Sequence, residues 1–171
     1  MADVSYVSAP NGFTFVRGSD EGTPQEYGTL LSAVAAGDPL VWDTTGKLKA
    51  HTAASASERI VGVAAASGIA GDEIPFVPAT ADNIFEAELT GATQDVNNIK
   101  SLTTTREIVG TTGSFSIGTA TTNGQILILG WAPAQNIPGG LGFAGDPGFG
   151  NTTTNGRVLC KFIKSAWYRA S

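Results

Sequence analysis

The chain has 171 residues, of which 42% are hydrophobic and 15% are charged, a length and composition that fit one domain with a real core. Residues 1–90 hold twelve acidic and four basic side chains, net charge −8, whereas residues 91–171 hold three acidic and six basic ones, net charge +3. Because nucleic-acid phosphates are neutralised by clustered lysine and arginine, the acidic front half argues against nucleic-acid binding.

The single cysteine excludes an internal disulfide. No apolar run approaches the roughly 20 residues that a membrane-spanning helix needs. The first ten residues lack the basic stretch and apolar core of a secretory signal. We therefore expect no membrane association, and we expect the chain to be made and assembled in a cytoplasm.

Residues 1–28 have weak periodicity and several turn clusters. This pattern predicts an extended N-terminal arm that holds one short strand, FTFVR. Phe13 and Phe15 share one face of that strand, because side chains alternate along a strand. We expect residues 29–171 to form a single β-rich domain.

Two Ala-Gly-Asp triplets lie 34 residues apart, and each precedes a short apolar strand. In each triplet glycine supplies a backbone conformation that other residues avoid, and aspartate bonds back to nearby amides. The triplets therefore predict two fixed turns, built on Gly37, Asp38, Gly71 and Asp72.

Two further glycines mark the region between these turns. Gly46 in TTGKLKA predicts a hairpin, and Gly62 in ERIVGVAAA predicts a bulge or a close approach of another backbone. Further along, NIFEAEL alternates apolar and acidic residues. It predicts a strand with Phe85 on the buried face and with Glu86 and Glu88 on the wet face.

A second repeat relates TTNGQILIL, residues 121–129, to TTNGRVLCK, residues 153–161. The Asn-Gly pair in each copy favours a hairpin turn. The first copy is apolar on both faces, so it is either a central strand or an interface strand. The second copy places Val158, Cys160 and Phe162 on one face.

Residues 132–156, between these copies, contain seven glycines, three prolines and one charge. A structureless segment of this length is uncommon inside a compact domain. Disorder is one interpretation, but a solvated linker does not need Ile137, Leu141, Phe143 and Phe149. We therefore predict an ordered Gly/Pro-rich loop that lies against a neighbouring subunit.

The sequence offers little for catalysis. His51, the one histidine, lies in a polar stretch and is expected on the surface, whereas Cys160 is expected to be a buried structural thiol. A Cys–His nucleophile needs these two residues brought together without a supporting motif, and a metal site needs several ligands at ligand spacing. We therefore predict no enzymatic activity, no metal and no cofactor; a Cys–His hydrolase is the competing interpretation.

The three tryptophans each lie in or beside an apolar strand. This placement favours packing in a core or an interface over a sugar-binding platform. We expect Trp42 and Trp131 to be mostly buried, and we take Trp167 as a candidate interface residue.

The stretch VAAGDPLVWDTTGKLKA, followed by ERIVGVAAASGIAGDEIPFVPA, resembles the capsid decoration, or cement, proteins of tailed bacteriophages. The family pattern is an Ala-Gly-Asp turn, an apolar strand, a Gly-containing turn, VGVA and a second Gly-Asp. It falls here on Gly37, Asp38, Gly46, Gly62, Gly71 and Asp72. The same segment also looks like a biotinyl or lipoyl carrier, but Lys47 lies in TGKLK rather than in Met-Lys-Met.

Pattern and resemblance together predict a mainly β fold, a small β-barrel or sandwich-like domain with an extended arm and a long loop. The resemblance implies binding to the major capsid protein on the exterior of a phage head, as a homo-oligomer with a trimer favoured. We expect residues 1–28, which include Phe13 and Phe15, and residues 132–156 to carry the contacts. Trp167 is a further candidate interface residue. The alternative is another virion component, such as a head-fibre base or a glycan-binding module.

Overall fold

The structure, a computed structural model, describes residues 12–18, 22–53, 55, 57–89, 105–131 and 157–167. Within these ranges the chain forms twelve strands and no helix, which confirms the prediction of a mainly β fold. The strands are β1 (Phe13–Arg17), β2 (Glu26–Thr29), β3 (Pro39–Trp42), β4 (Leu48–Ala50), β5 (Gly62–Ala64), β6 (Glu73–Pro78), β7 (Ile84–Glu88), β8 (Thr105–Arg106), β9 (Ile108–Val109), β10 (Ser116–Ile117), β11 (Ile126–Trp131) and β12 (Arg157–Phe162).

The strands form two five-stranded sheets and one short pair. The first sheet has the order β1-β7-β12-β11-β8, the second has the order β2-β6-β5-β3-β4, and β10 pairs with β9. Neighbouring strands are antiparallel throughout. The sheets are not closed into a barrel, so the sandwich-like half of the prediction is the one that holds.

The main core lies between the two sheets. Phe162 of the first sheet packs against Phe13 and Phe85, with ring centroids 5.0 and 5.1 Å apart. Val63 and Val77 of the second sheet belong to the same buried cluster. Burying a side chain of this size is worth about 1.5–3 kcal/mol, so this cluster is what holds the two sheets together.

A second, smaller core lies on the other face of the second sheet, which curls around it. Its members are Leu30, Val34, Leu40, Leu48, Val61, Ala64, Ile74 and Phe76. The curl brings the end of β2 to β4, where the Leu31 amide donates to the Leu48 carbonyl oxygen at 2.7 Å.

The second sheet contains two copies of one structural unit, residues 28–42 and 62–76, related by a shift of 34 positions. Gly28 pairs with Ile74. Their equivalents in the other copy, Gly62 and Leu40, pair in the same way. Each unit therefore contributes a strand that lies against the other unit.

The two units cross at Val34 and Gly68, which are themselves 34 positions apart. Each residue donates its amide to the other's carbonyl oxygen, at 3.0 and 3.1 Å. A pair that is equivalent to itself lies on the axis that relates the copies, so the units are related by an approximate two-fold rotation. The sequence repeat of the two Ala-Gly-Asp triplets is the visible part of this symmetry.

The described part of residues 1–28 belongs to the sheets rather than to an arm. β1 pairs with β7 at the edge of the first sheet, and β2 pairs with β6. Phe13 is 2% exposed and lies in the main core. Residues 1–11 and the predicted loop, residues 132–156, lie outside the described residues.

The Asn-Gly hairpin prediction is wrong at residues 123–124. β10 and β11, the strands on either side of this turn, lie in different sheets and do not pair. The two copies of the second repeat instead pair with each other, as β11 and β12. β11 lies between β12 and β8, so it is the central strand that was one of the two predicted alternatives.

The position of Gly62 requires a residue without a side chain. A Cβ at this position would lie 2.3 Å from the Val77 carbonyl oxygen and 2.6 Å from the Phe76 ring. β5 is held between β3 and β6, so it cannot shift to relieve this clash. The predicted close backbone approach is confirmed.

We expect Gly62→Ala to lower the free energy of unfolding by about 2 kcal/mol, because the methyl group must displace backbone atoms. Gly130→Ala is the matched control: a Cβ there meets nothing within 4 Å, and we expect a change within about 0.5 kcal/mol. Urea unfolding of both variants measures the difference. Equal losses would contradict the close approach.

Candidate interaction surface

The first predicted turn, Ala35–Asp38, has the expected geometry. Gly37 has a φ of 92°, and the Asp38 amide donates to the Ala35 carbonyl oxygen at 3.1 Å. The Asp38 carboxylate reaches back, and its Oδ2 accepts the Ala35 amide at 2.9 Å. The prediction that glycine shapes this turn and aspartate fixes it is confirmed.

This first turn is covered by two other parts of the chain. Asp38 is fully buried, and its Oδ1 accepts the Gly113 amide at 3.0 Å. The Phe13 amide donates to the Gly37 carbonyl oxygen at 2.9 Å. The first turn is therefore a structural joint between β1, the second sheet and the turn that joins β9 to β10.

The second predicted turn, Ile69–Asp72, repeats this geometry. Gly71 also has a φ of 92°. The Asp72 amide donates to the Ile69 carbonyl oxygen at 3.1 Å, and Asp72 Oδ2 accepts the Ile69 amide at 2.9 Å. In this copy all four residues are exposed, and Ile69 is 66% exposed.

The predicted interface residues have three different fates. Phe13 was a candidate, but its ring is enclosed in the core, so it is unavailable to a partner. Phe15 is half-buried and packs edge-on against Phe85. Trp167 is 46% exposed, and its indole N–H donates to the Val61 carbonyl oxygen. The remaining candidates, Ile137, Leu141, Phe143 and Phe149, lie outside the described residues.

Trp42 is more exposed than predicted. It is the last residue of β3, 42% of its surface is accessible, and its ring packs edge-on against Phe76 with the centroids 6.3 Å apart. Tyr27, in β2, and Leu31, two residues after β2, are also exposed. The indole groups of Trp42 and Trp167 are thus partly available to a partner, whereas the predicted burial of Trp131 concerns a side chain that lies outside what the structure describes.

An open groove of about 310 Å3 lies where β1 approaches the second sheet. Its lining is mostly apolar or small and includes Phe15, Gly37, Val63, Ala65 and Val77. None of the described residues in its lining carries a charge, so these residues suit an apolar or uncharged contact rather than an ionic ligand.

His51 corrects the expectation of a surface histidine. It is 3% exposed, and its Nδ1 lies 2.8 Å from Glu58 Oε2. Glu58 also accepts the Thr52 amide at 2.7 Å and lies 3.1 Å from the Lys49 ammonium group. Lys49, His51 and Thr52, from the polar stretch of the sequence, therefore lie around the Glu58 carboxylate.

Burial lowers the pKa of His51, and the neighbouring Glu58 carboxylate opposes this shift. Burial alone raises the pKa of Glu58, but the Thr52 amide, the Lys49 ammonium group and His51 together hold it below its ordinary value. The carboxamide of Gln125 also lies beside the imidazole. Both ring nitrogens of His51 and the Oε1 of Gln125 are buried without a well-aligned hydrogen bond to any described residue, so the 2.8 Å approach of Nδ1 to Glu58 is a close polar contact of poor hydrogen-bond geometry.

Cys160 is fully buried on β12, opposite Phe85 and Ile128, so the predicted buried thiol is confirmed. His51 is engaged with Glu58 rather than with this thiol. Among the residues that the structure describes, no three His, Cys, Asp or Glu side chains are grouped to hold a metal ion. No helix in these ranges has the length and apolar character needed to cross a membrane.

Sequence reasoning missed the exposed residues Tyr27, Trp42 and Ile69 as a class. A signal was present for one of them. Aligning the two units at a shift of 34 places Ile69 opposite Ala35, so one copy of an otherwise equal turn carries a large apolar side chain.

No protein-family model matches the chain, and no curated protein matches it.

We expect stability to fall as the pH drops below about 6.5, the ordinary pKa of histidine, because the unfolded chain binds a proton there more readily than buried His51 does. The depressed pKa of Glu58 adds a further loss below its ordinary value of 4.5. Unfolding free energies measured from about pH 7.5 to pH 5.5 isolate the histidine contribution.

His51→Gln is the matched variant, since the chain has no other histidine. We expect its stability to be nearly flat over that interval. The same decline in the variant and the wild type would show that His51 does not cause it.

Proposed function

We propose that this chain is a structural virion protein that binds the exterior of a tailed-phage capsid and stabilises the head. The proposal follows the family resemblance of the turn-and-strand pattern. The observation that carries it is a set of large apolar side chains that are exposed to solvent and belong to neither of the two buried clusters. Among the described residues these are Val16, Tyr27, Leu31, Trp42, Ile69, Ile163 and Trp167.

Three of these side chains are aromatic. Tyrosine and tryptophan are enriched at protein interfaces because they bury much surface at a small cost in conformational entropy. The apolar groove beside β1 adds an uncharged recess of the kind that a partner's side chains fill. Both features support a protein partner.

Stabilisation of a shell needs no chemical step. A protein that binds the assembled lattice better than loose subunits shifts the equilibrium toward the intact shell. Each contact is favourable only after ordering costs are subtracted, so single contacts are modest. Many copies on one lattice, each gripping more than one subunit, raise the effective affinity.

The direct test mixes the purified chain with undecorated heads of the phage that encodes it. We expect saturable binding at regular lattice positions and heads that stay intact to a higher temperature. Heads that already carry their full complement of the chain are the matched control, and these are expected to take up none.

Heads that bind no chain would contradict the proposal. The exposed rings of Tyr27 and Trp42 also suit stacking on a sugar. A glycan-array signal that Trp42→Ala abolishes would assign the chain to glycan binding instead.

A further inference from the structure

The two equivalent turns of the second sheet have opposite environments. Asp38 in the first turn is fully buried, whereas Asp72 in the second is exposed. The internal hydrogen bonds of the two turns have the same lengths, 2.9 Å to Oδ2 and 3.1 Å between the backbone groups. The first turn therefore shows which hydrogen-bond donors a buried turn of this shape receives from other parts of the chain.

Two backbone amides cover the first turn. The Gly113 amide donates to Asp38 Oδ1, and the Phe13 amide donates to the Gly37 carbonyl oxygen. Gly113 has a φ of 82°, and a Cβ at this position would lie 3.9 Å from the Ala35 side chain. The 3.9 Å distance is ordinary van der Waals contact, so the positive φ is what favours glycine here. The covering element at the carboxylate is thus a glycine turn that offers an N–H group.

The second turn offers the same acceptors to solvent. Asp72 Oδ2 is used by the Ile69 amide, whereas Asp72 Oδ1 and the Gly71 carbonyl oxygen accept no hydrogen bond from any residue in the described ranges. A Cβ at Gly71 would meet nothing within 4 Å. Ile69, at the position of Ala35, adds an exposed apolar side chain.

We propose that the Ile69–Asp72 turn is a docking site for a glycine-containing turn of another polypeptide, which donates backbone N–H groups to Asp72 Oδ1 and the Gly71 carbonyl oxygen and covers Ile69. The partner is the shell subunit, so this assignment rests on the proposed function. The first turn defines the chemistry of the partner, because it is the same acceptor set with its donors in place.

A second copy of this chain does not fit through the same face. In a two-fold contact each turn meets its own copy, so acceptor faces acceptor and one Asp72 carboxylate faces another. Like charges and unpaired acceptors brought together are unfavourable. The partner must supply donors, and a different polypeptide supplies them without this conflict.

Two variants of the full-length chain test the docking site on undecorated heads. Asp72→Asn keeps an oxygen for the Ile69 amide and replaces the free acceptor by an NH2 group, and asparagine is well tolerated in such turns. Ile69→Thr removes apolar surface and leaves the turn's hydrogen bonds intact. We expect each to weaken binding about tenfold or more, since a hydrogen bond to a charged group and a buried side chain are each worth that much.

The controls are Glu73→Gln, which removes the adjacent exposed charge, and Ala81→Ser, which removes apolar surface at an exposed turn residue outside the set of large exposed apolar side chains. Both are expected to bind as the wild type does. Thermal unfolding of all four variants confirms that they fold.

Each outcome decides the question. Weakened binding by Asp72→Asn and Ile69→Thr alone supports the docking site. Wild-type binding by all four variants overturns it and leaves the proposed function standing, whereas a wild-type chain that ignores the heads overturns both. Self-association that sedimentation detects and Asp72→Asn abolishes would make a second copy the occupant and overturn the choice of partner.

Discussion

The buried carboxylate of Asp38 is the interaction on which the arrangement of this fold depends. A carboxylate removed from water is costly unless hydrogen-bond donors surround it. Here the donors are the Ala35 amide, from the same turn, and the Gly113 amide, 75 positions away. The requirement for donors therefore ties the turn between β9 and β10 to the second sheet. Phe13 is fixed beside it through the Gly37 carbonyl oxygen, which sets how β1, and with it the first sheet, meets the second.

The approximate two-fold symmetry of the second sheet explains why the chain has a second, exposed copy of the Ala35–Asp38 turn. Two equivalent units that cross at Val34 and Gly68 produce two equivalent turns at opposite ends. Among the described residues, other parts of the chain donate hydrogen bonds to the Asp38 carboxylate and the Gly37 carbonyl oxygen of the first turn and to neither equivalent group of the second. The uncovered copy, Ile69–Asp72, keeps the acceptor geometry of a joint without its donors. One copy of the turn binds other parts of the chain, and the second copy is exposed with the same acceptors. We propose that the second copy binds the capsid subunit.

Local features were predictable from the sequence where neighbouring residues determine them. The two turns, the hairpin of β3 and β4, and the alternation in β7 depend on glycine conformation, aspartate back-bonding and a period of two. Burial was less predictable, because it depends on distant partners. Phe13 is enclosed by β7, which lies about 70 positions away, and His51 is buried because Glu58 and Gln125 fold over it. Trp42 shows the opposite error. It was expected to be mostly buried, but it is the last residue of β3, and 42% of its surface is exposed.

The most direct test of this account compares Asp38→Ala with Asp72→Ala in urea unfolding. Two variants with the same chemical change at equivalent positions differ only in what surrounds the lost carboxylate. We expect Asp38→Ala to lower the free energy of unfolding by about 2 kcal/mol, because it removes a buried carboxylate that accepts the part-buried amides of Ala35 and Gly113. Asp72→Ala is expected to cost clearly less, since its carboxylate is exposed and accepts only the Ile69 amide from the described residues. Equal losses would contradict the claim that one turn holds the fold and the other is free to bind.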